Sequence, residues 1–143
     1  MSCSNRFRTI VEFGDCDPAR KVFYPNYFKW FDTGTRHFFV AHGFPLWPSL
    51  RLSSGIDGAP LVDAAAKFFA SLTYGDEIEI ETSVLECGGK SFTMRHLIRR
   101  GDKIVVDGRE VRVFVAADPE ESGRIRAVDV PAEVRALCAA HSQ

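Results

Sequence analysis

The sequence predicts an α+β chain in which an antiparallel sheet curls around one long helix. Three observations carry that reading. The segment from Pro25 to Gly43 has helical periodicity and is apolar over most of its circumference. Downstream of Leu61, stretches alternating apolar and polar residues are separated by Gly-Gly and Gly-Asp turns. A single strand precedes the helix, so the order is strand, helix, four or five antiparallel strands and a short closing helix.

At 143 residues the chain fits one domain, 1–143, with a single sizeable core. Its 45% hydrophobic and 26% charged residues are those of an ordinary globular protein. A net charge of −1 argues against general nucleic-acid binding, which shows as a basic excess. No apolar run approaches the ~20 residues needed to span a membrane. The N-terminal MSCSNRFRT lacks a signal-peptide core, so a cytoplasmic location is expected. Cys3, Cys16, Cys87 and Cys138 form no CxxC pair and no zinc-site spacing, and free thiols are expected.

Residues 6–13, RFRTIVEF, read as a strand with Phe7, Thr9, Val11 and Phe13 on one face, ended by Gly14. The loop DCDPARKV follows, with Pro18 keeping Asp17 out of helical geometry. Pro25 opens the helix and Gly43 caps it. At ~1.5 Å per residue this helix is about 27 Å long. Lys29, Asp32, Thr33 and Arg36 share one narrow polar face, and Gly34 at mid-helix predicts the close approach of another backbone. LWPSLRL reads as a short helix or turn, SSGIDGAP as a loop, and LVDAAAKFFASL as a strand whose alanines also permit helix. IEIETSVLE places Ile78, Ile80, Thr82 and Val84 on one face; SFTMRHLIRR returns with Phe92, Met94, His96 and Ile98 aligned. KIVVDGREVRVFVA is a long strand with Gly108 as a bulge, IRAVDV a last short strand and PAEVRALCAAH a terminal helix. Such a sheet leaves an open edge, so an oligomer is expected.

The chemistry concentrates in residues 12–32, where two carboxylates, Asp15 and Asp17, precede a helix start. A base beside unpaired backbone N–H groups suits attack of water on a carbonyl. The stretch FGDCDPARKVFYPNYFKWFD resembles the N-terminal signature of the 4-hydroxybenzoyl-CoA thioesterase family of hotdog-fold enzymes. The resemblance continues through GxPLV at 58–62, YGDEIEIET, KSFTMRH at 90–96 and RIRAVDVPAEV at 124–134. It implies a hotdog fold, with an antiparallel sheet of about five strands around the long helix. It also implies acyl-CoA thioester hydrolysis, active sites at a dimer interface, a homotetramer built from dimers, and no metal or cofactor, CoA being part of the substrate. Position by position, Asp17 matches the catalytic carboxylate and Tyr24 the residue whose backbone N–H polarises the carbonyl. Asp32 matches a position facing the acyl pocket; Lys90 and Arg126 match basic positions that contact the nucleotide end of CoA. The chain departs from the family pattern at Arg20-Lys21, where Gly-Ile is usual, at Gly88-Gly89, where two arginines stand, and at Ala59, a threonine position.

Each residue also has a plainer reading. Asp17 would serve as a general base or a nucleophile, or cap its own loop. Asp15 reads as mainly structural. Tyr24, Asn26 and Tyr27 offer the helix-start N–H groups, which every helix must satisfy somehow. Cys16 reads as a spectator thiol, and His37 and His96 as packing or surface histidines. The expected substrate carries an aromatic acyl group such as 4-hydroxybenzoyl; short- or medium-chain aliphatic acyl-CoA hydrolysis, or binding or sensing of a CoA ester without turnover, are the competing functions.

Overall fold

The computed structural model describes residues 3–45, 47 and 55–141. Strand β1 (Ser4–Ile10) leads through a loop containing a 3-10 turn at Phe13–Asp15 into helix α1 (Pro25–Ala41). Then come β2 (Leu61–Phe68), β3 (Glu77–Cys87), β4 (Ser91–Arg100) and β5 (Lys103–Val113). A small ribbon of β6 (Val115–Ala117) and β7 (Ile125–Ala127) precedes the closing helix α2 (Ala132–His141). The main sheet has five strands in the order β1-β3-β4-β5-β2, every neighbouring pair antiparallel. Helix α1 packs across its concave face, touching β1, β3, β4 and β5.

The alternation read from β3 and β4 is the one the sheet uses. Ile78, Ile80, Thr82 and Val84, with Phe92, Met94, His96 and Ile98 facing them, are all buried. Under the helix they meet Phe31, Phe38 and Phe39, which have no exposed surface. Burial of each such side chain is worth about 1.5–3 kcal/mol. The polar face of α1 keeps Lys29, Asp32 and Arg36 in solvent, and Val40 shares that exposure. The uncertain segment after Leu61 is a strand, because it pairs with β5 from Leu61↔Arg112 to Phe68↔Val106.

Several local expectations need correction. β1 stops at Ile10, and Phe13 projects from the 3-10 turn at 82% exposure rather than joining the core row. Gly108 is no bulge; it pairs in regular register with Ala66 and His96. Glycine is needed because the Phe31 ring lies over it, and any Cβ would collide with the ring carbons. The register shifts fall instead at Leu61/Asp63, Val84/Glu86 and Ile98/Arg99. Gly34 does admit a close neighbour, but through side chains: an added Cβ would lie 2.5 Å from Thr82 Oγ1 and 3.1 Å from His96 Nδ1. Cys87 and Cys138 are joined as a disulfide with their Cα atoms 6.1 Å apart, while Cys3 and Cys16 are free. The two lie 51 residues apart, so only the docking of α2 beside β3 brings them together. The turn expected over 46–52 lies outside the described residues except Trp47, whose indole stacks on Phe39 at 3.7 Å.

Candidate active site

The loop from Glu12 to Tyr24 is tied down at several points, and these bonds decide what each carboxylate can do. Cys16 and Val22 form an antiparallel bridge, and Val22 N–H donates to Leu72 O at 3.0 Å. Asp15 is structural: its Oδ2 accepts Glu12 N–H at 2.9 Å, and its carbonyl accepts Phe23 N–H and the Asn26 side-chain amide. Asp17 is half-buried, and its Oδ1 accepts Ala19 N–H at 2.9 Å and Lys21 N–H at 3.4 Å. Its Oδ2 engages no donor among the described residues. One oxygen is thus anchored in the loop and the other is available for chemistry. Arg20 holds a φ of 65°, left-handed geometry that costs a non-glycine residue roughly 1–2 kcal/mol. Thr73 Oγ1 donates to its carbonyl at 2.6 Å and helps to hold the kink. The Cys16 thiol points at Glu12 O, 3.7 Å away.

At the start of α1 the three candidate donors separate. Asn26 N–H donates to Phe23 O and Tyr27 N–H to Tyr24 O. Tyr24 N–H has no acceptor among the described residues, and it sits at the positive end of the helix dipole. Beside it opens a cleft of about 320 Å³ lined by Tyr24, Tyr27, Phe68, Phe69, Ala70 and Ser71. A larger hollow of about 800 Å³ lies on the outer sheet face among Arg8, Ile10, Glu12, Glu77, Glu79 and Arg99, and neither Asp17 nor Tyr24 lines it.

Asp32, two turns along α1, leads into a polar network that sequence reasoning missed. Its Oδ1 accepts a 2.7 Å hydrogen bond from Nη2 of Arg112, whose side chain is only 7% exposed. The same nitrogen donates to Glu110 Oε2 at 2.9 Å, and Nη1 donates to Ala59 O at 2.9 Å. Glu110 Oε1 accepts Thr35 Oγ1–H at 2.6 Å and is 2.9 Å from His96 Nε2. His96 Nδ1 is 2.8 Å from Thr82 Oγ1, and Phe31 stacks on the imidazole with centroids 5.0 Å apart. Burial holds the His96 pKa below its ordinary 6.5, so the ring is neutral; Nε2–H donates to Glu110 and Nδ1 accepts from Thr82. Burial opposes ionisation of Glu110, but the hydrogen bonds from His96 and Thr35 and the Arg112 charge prevail and hold its pKa below the ordinary 4.5. His96 is a packing histidine, one of the two readings expected of it, and is in addition hydrogen-bonded on both nitrogens. The available signal was the phase of β5, where Val106, Gly108, Glu110, Arg112 and Phe114 alternate as a buried row.

Lys90 and Arg126 stand elsewhere. Lys90 is exposed on the β3–β4 turn, 3.7 Å from Asp129, and Arg126 is exposed on β7. The Asp17 loop adjoins the other end of the sheet, where Ile10 pairs with Glu77 and Val11 N–H bonds Asp76 O. The 11 residues of β3 between those ends span roughly 35 Å. Within one chain, therefore, the loop carrying Asp17 and Tyr24 adjoins one end of the sheet, and Lys90 and the ribbon carrying Arg126 adjoin the other. Arg135 donates to the carbonyls of Gly88 and Gly89, bringing a guanidinium to the turn where the family pattern has arginines. Among the described residues no group of three or more His, Cys, Asp or Glu is placed to hold a metal ion, and no helix is long and apolar enough to cross a membrane.

A hotdog sheet with a carboxylate beside the start of its central helix defines a class, and comparison with known proteins agrees. Residues 11–137 match the model of the thioesterase-like superfamily, so the chain belongs to that family and is a thioester hydrolase. Among curated relatives, the 4-hydroxybenzoyl-CoA thioesterase of Pseudomonas sp. (strain CBS-3) is 41% identical over 143 residues, covering 96% of this chain and 99% of that protein. A crystal structure of a 4-hydroxybenzoyl-CoA thioesterase mutant, D17N, complexed with 4-hydroxybenzoyl-CoA superposes with a TM-score of 0.84 at 36% identity, covering 96% of this chain and 99% of that one. A gentisyl-coenzyme A thioesterase superposes with a TM-score of 0.77 at 35% identity, covering 94% and 99%.

Proposed function

We propose that this protein hydrolyses an aromatic acyl-CoA thioester, with 4-hydroxybenzoyl-CoA the favoured substrate, to the free acid and CoA. The observation that carries the reading is that, among the described residues, Asp17 Oδ2 has no donor while Oδ1 is anchored on the loop, and the Tyr24 N–H at the loop's end has no acceptor. In the proposed site the thioester carbonyl accepts that N–H, and negative charge developing on its oxygen is stabilised at the helix start. Asp17 acts as base, taking a proton from water as it attacks, or as nucleophile, forming an anhydride that water then opens. Either route expels the CoA sulfur. The aromatic cleft at Tyr24, Tyr27, Phe68 and Phe69 suits a flat apolar acyl group; Asp32 does not line that cleft, and an acyl-facing role for it rests on the family resemblance alone. The gentisyl-CoA relative makes other hydroxylated benzoyl groups the second choice.

Lys90 and Arg126 bind the nucleotide end of CoA in this reading, and assembly brings them into reach. Strand β2 ends the sheet, with Leu61 46%, Val62 60% and Phe68 48% exposed. Phe68 lies at the Asp17 end and Leu61, opposite Arg112, at the Lys90 end. A two-fold pairing of β2 with β2 of a second copy sets each Asp17 end beside the other's Lys90 end. A homotetramer made of two such dimers, in the cytoplasm where CoA esters are metabolised, completes the proposal.

The test is thiol release from 4-hydroxybenzoyl-CoA, gentisyl-CoA, benzoyl-CoA and aliphatic thioesters. Asp17→Asn should lose several decades of kcat on the best substrate, whereas Asp15→Asn, which keeps its acceptor for Glu12 N–H, should stay active. The reverse pattern, or tight binding without turnover across the panel, would overturn the assignment in favour of a CoA-ester binding module.

A further inference from the structure

The turn that carries Asp17 is bonded mostly to itself. Asp17 N–H donates to Lys21 O and Arg20 N–H to Asp17 O, both at 2.8 Å. The Ala19 and Lys21 N–H groups then hold Oδ1. Among the described residues, the hydrogen bond that joins residues 17–21 to the rest of the fold is the 2.6 Å donation from Thr73 Oγ1 to Arg20 O. It falls at the left-handed residue, φ 65°, where a side chain bearing a Cβ needs outside support to stay. The next residues have anchors of their own: Val22 N–H reaches Leu72 O, and Phe23 N–H reaches Asp15 O. Tyr24 is therefore placed independently of the Thr73 hydroxyl.

Thr73 is itself held from three sides on the connection between β2 and β3. Its N–H donates to Asp76 Oδ2 at 2.9 Å, and Asp76 N–H returns to Thr73 O at 3.1 Å. Arg100, at the end of β4, donates from Nη1 to Asp76 Oδ2 and to Ser71 O, each at 3.1 Å. Asp76 O accepts Val11 N–H and Val11 O accepts Gly75 N–H, both at 2.9 Å, which ties the connection to the segment leaving β1.

We propose that Thr73 is a positioning residue for Asp17: its hydroxyl, set by Asp76 and Arg100, pins Arg20 O and so keeps the carboxylate with Oδ1 bound in the turn and Oδ2 presented to the thioester. The proposal rests on the reading above that Asp17 carries out the attack. Thr73 touches no reacting atom and acts through the turn alone. A reacting group misplaced by about 1 Å loses on the order of a hundredfold in rate. The proposed acyl contacts lie in the aromatic cleft, which Thr73 does not line, so loss of the hydroxyl falls on kcat and spares KM.

The experiment measures kcat and KM for 4-hydroxybenzoyl-CoA in the wild type, Thr73→Val, Thr73→Ser, Asp17→Asn and the Thr73→Val/Asp17→Asn double variant. Valine keeps the shape and loses the donor, whereas serine keeps the donor. We expect Thr73→Val to lower kcat about tenfold or more while KM changes by less than about twofold. Thr73→Ser should return kcat to within about threefold of the wild type. In the Asp17→Asn background, Thr73→Val should change the residual rate by less than about twofold. An unchanged kcat in Thr73→Val, no rescue by serine, or an equal loss in both backgrounds overturns the proposal. Hydrogen exchange of the Asp17 amide, followed by NMR, needs no turnover: it should accelerate in Thr73→Val and return to the wild-type rate in Thr73→Ser. Unchanged exchange overturns the anchoring role, whereas full activity of Asp17→Asn overturns the hydrolytic reading and leaves the exchange result standing.

Discussion

Replacing Gly34 by alanine sets two effects of opposite sign against each other. In an exposed helix interior the change would stabilise by about 1 kcal/mol, because glycine is the poorer helix former. Here the new methyl would stand 2.5 Å from Thr82 Oγ1, 3.1 Å from His96 Nδ1 and 3.3 Å from Ile80 Cγ2, so the Thr82 hydroxyl must move. Moving it breaks the 2.8 Å bond to His96 Nδ1 in a fully buried site. An unsatisfied buried acceptor costs about 1–3 kcal/mol, and overpacking adds about 1–3 kcal/mol more. The net loss is about 1–5 kcal/mol, or a fall in melting temperature of roughly 3–17 °C for a chain of this size. Urea denaturation with a thermal melt measures it directly. Thr82→Ala removes the atom that the methyl meets, so Gly34→Ala should cost much less in that background. A Gly34→Ala protein as stable as the wild type, or more stable, would refute the close docking of α1 on β3 and β4.

Three further outcomes are expected. Arg20→Gly relieves the left-handed strain at φ 65° and should raise stability by up to about 1 kcal/mol after the entropy cost of glycine, measured by chemical denaturation. Stability should fall as pH drops below about 6.5, because unfolded His96 takes a proton that the buried ring refuses. It should fall further below about 4.5, as unfolded chains protonate the carboxylate that folded Glu110 keeps ionised; His96→Gln should flatten the first limb of a plot of melting temperature against pH. Val62→Lys on the β2 edge should reduce the species seen by analytical ultracentrifugation to a smaller one and abolish turnover with it; an active monomer would exclude a shared site.

The local pattern of residues was enough for the helix from Pro25, the Gly88-Gly89 and Gly101-Asp102 turns and the buried faces of β3 and β4. Helical and strand periodicity are short-range properties, and turn chemistry is shorter still. The Asp17 loop was legible for the same reason: carboxylate, proline and helix start lie within a dozen residues. The tertiary structure decided what depends on distant residues meeting. It put the Phe31 ring over Gly108, so a residue read as a bulge is a packing contact. It joined Cys87 to Cys138, and it set Lys90 and Arg126 at the far end of the sheet from Asp17. Above all it built the chain of contacts from Asp32 through Arg112 and Glu110 to His96. Charge inside a core is tolerated only where every partner arrives together, and the partners here come from α1, β3, β4 and β5, elements that no local pattern in the sequence connects.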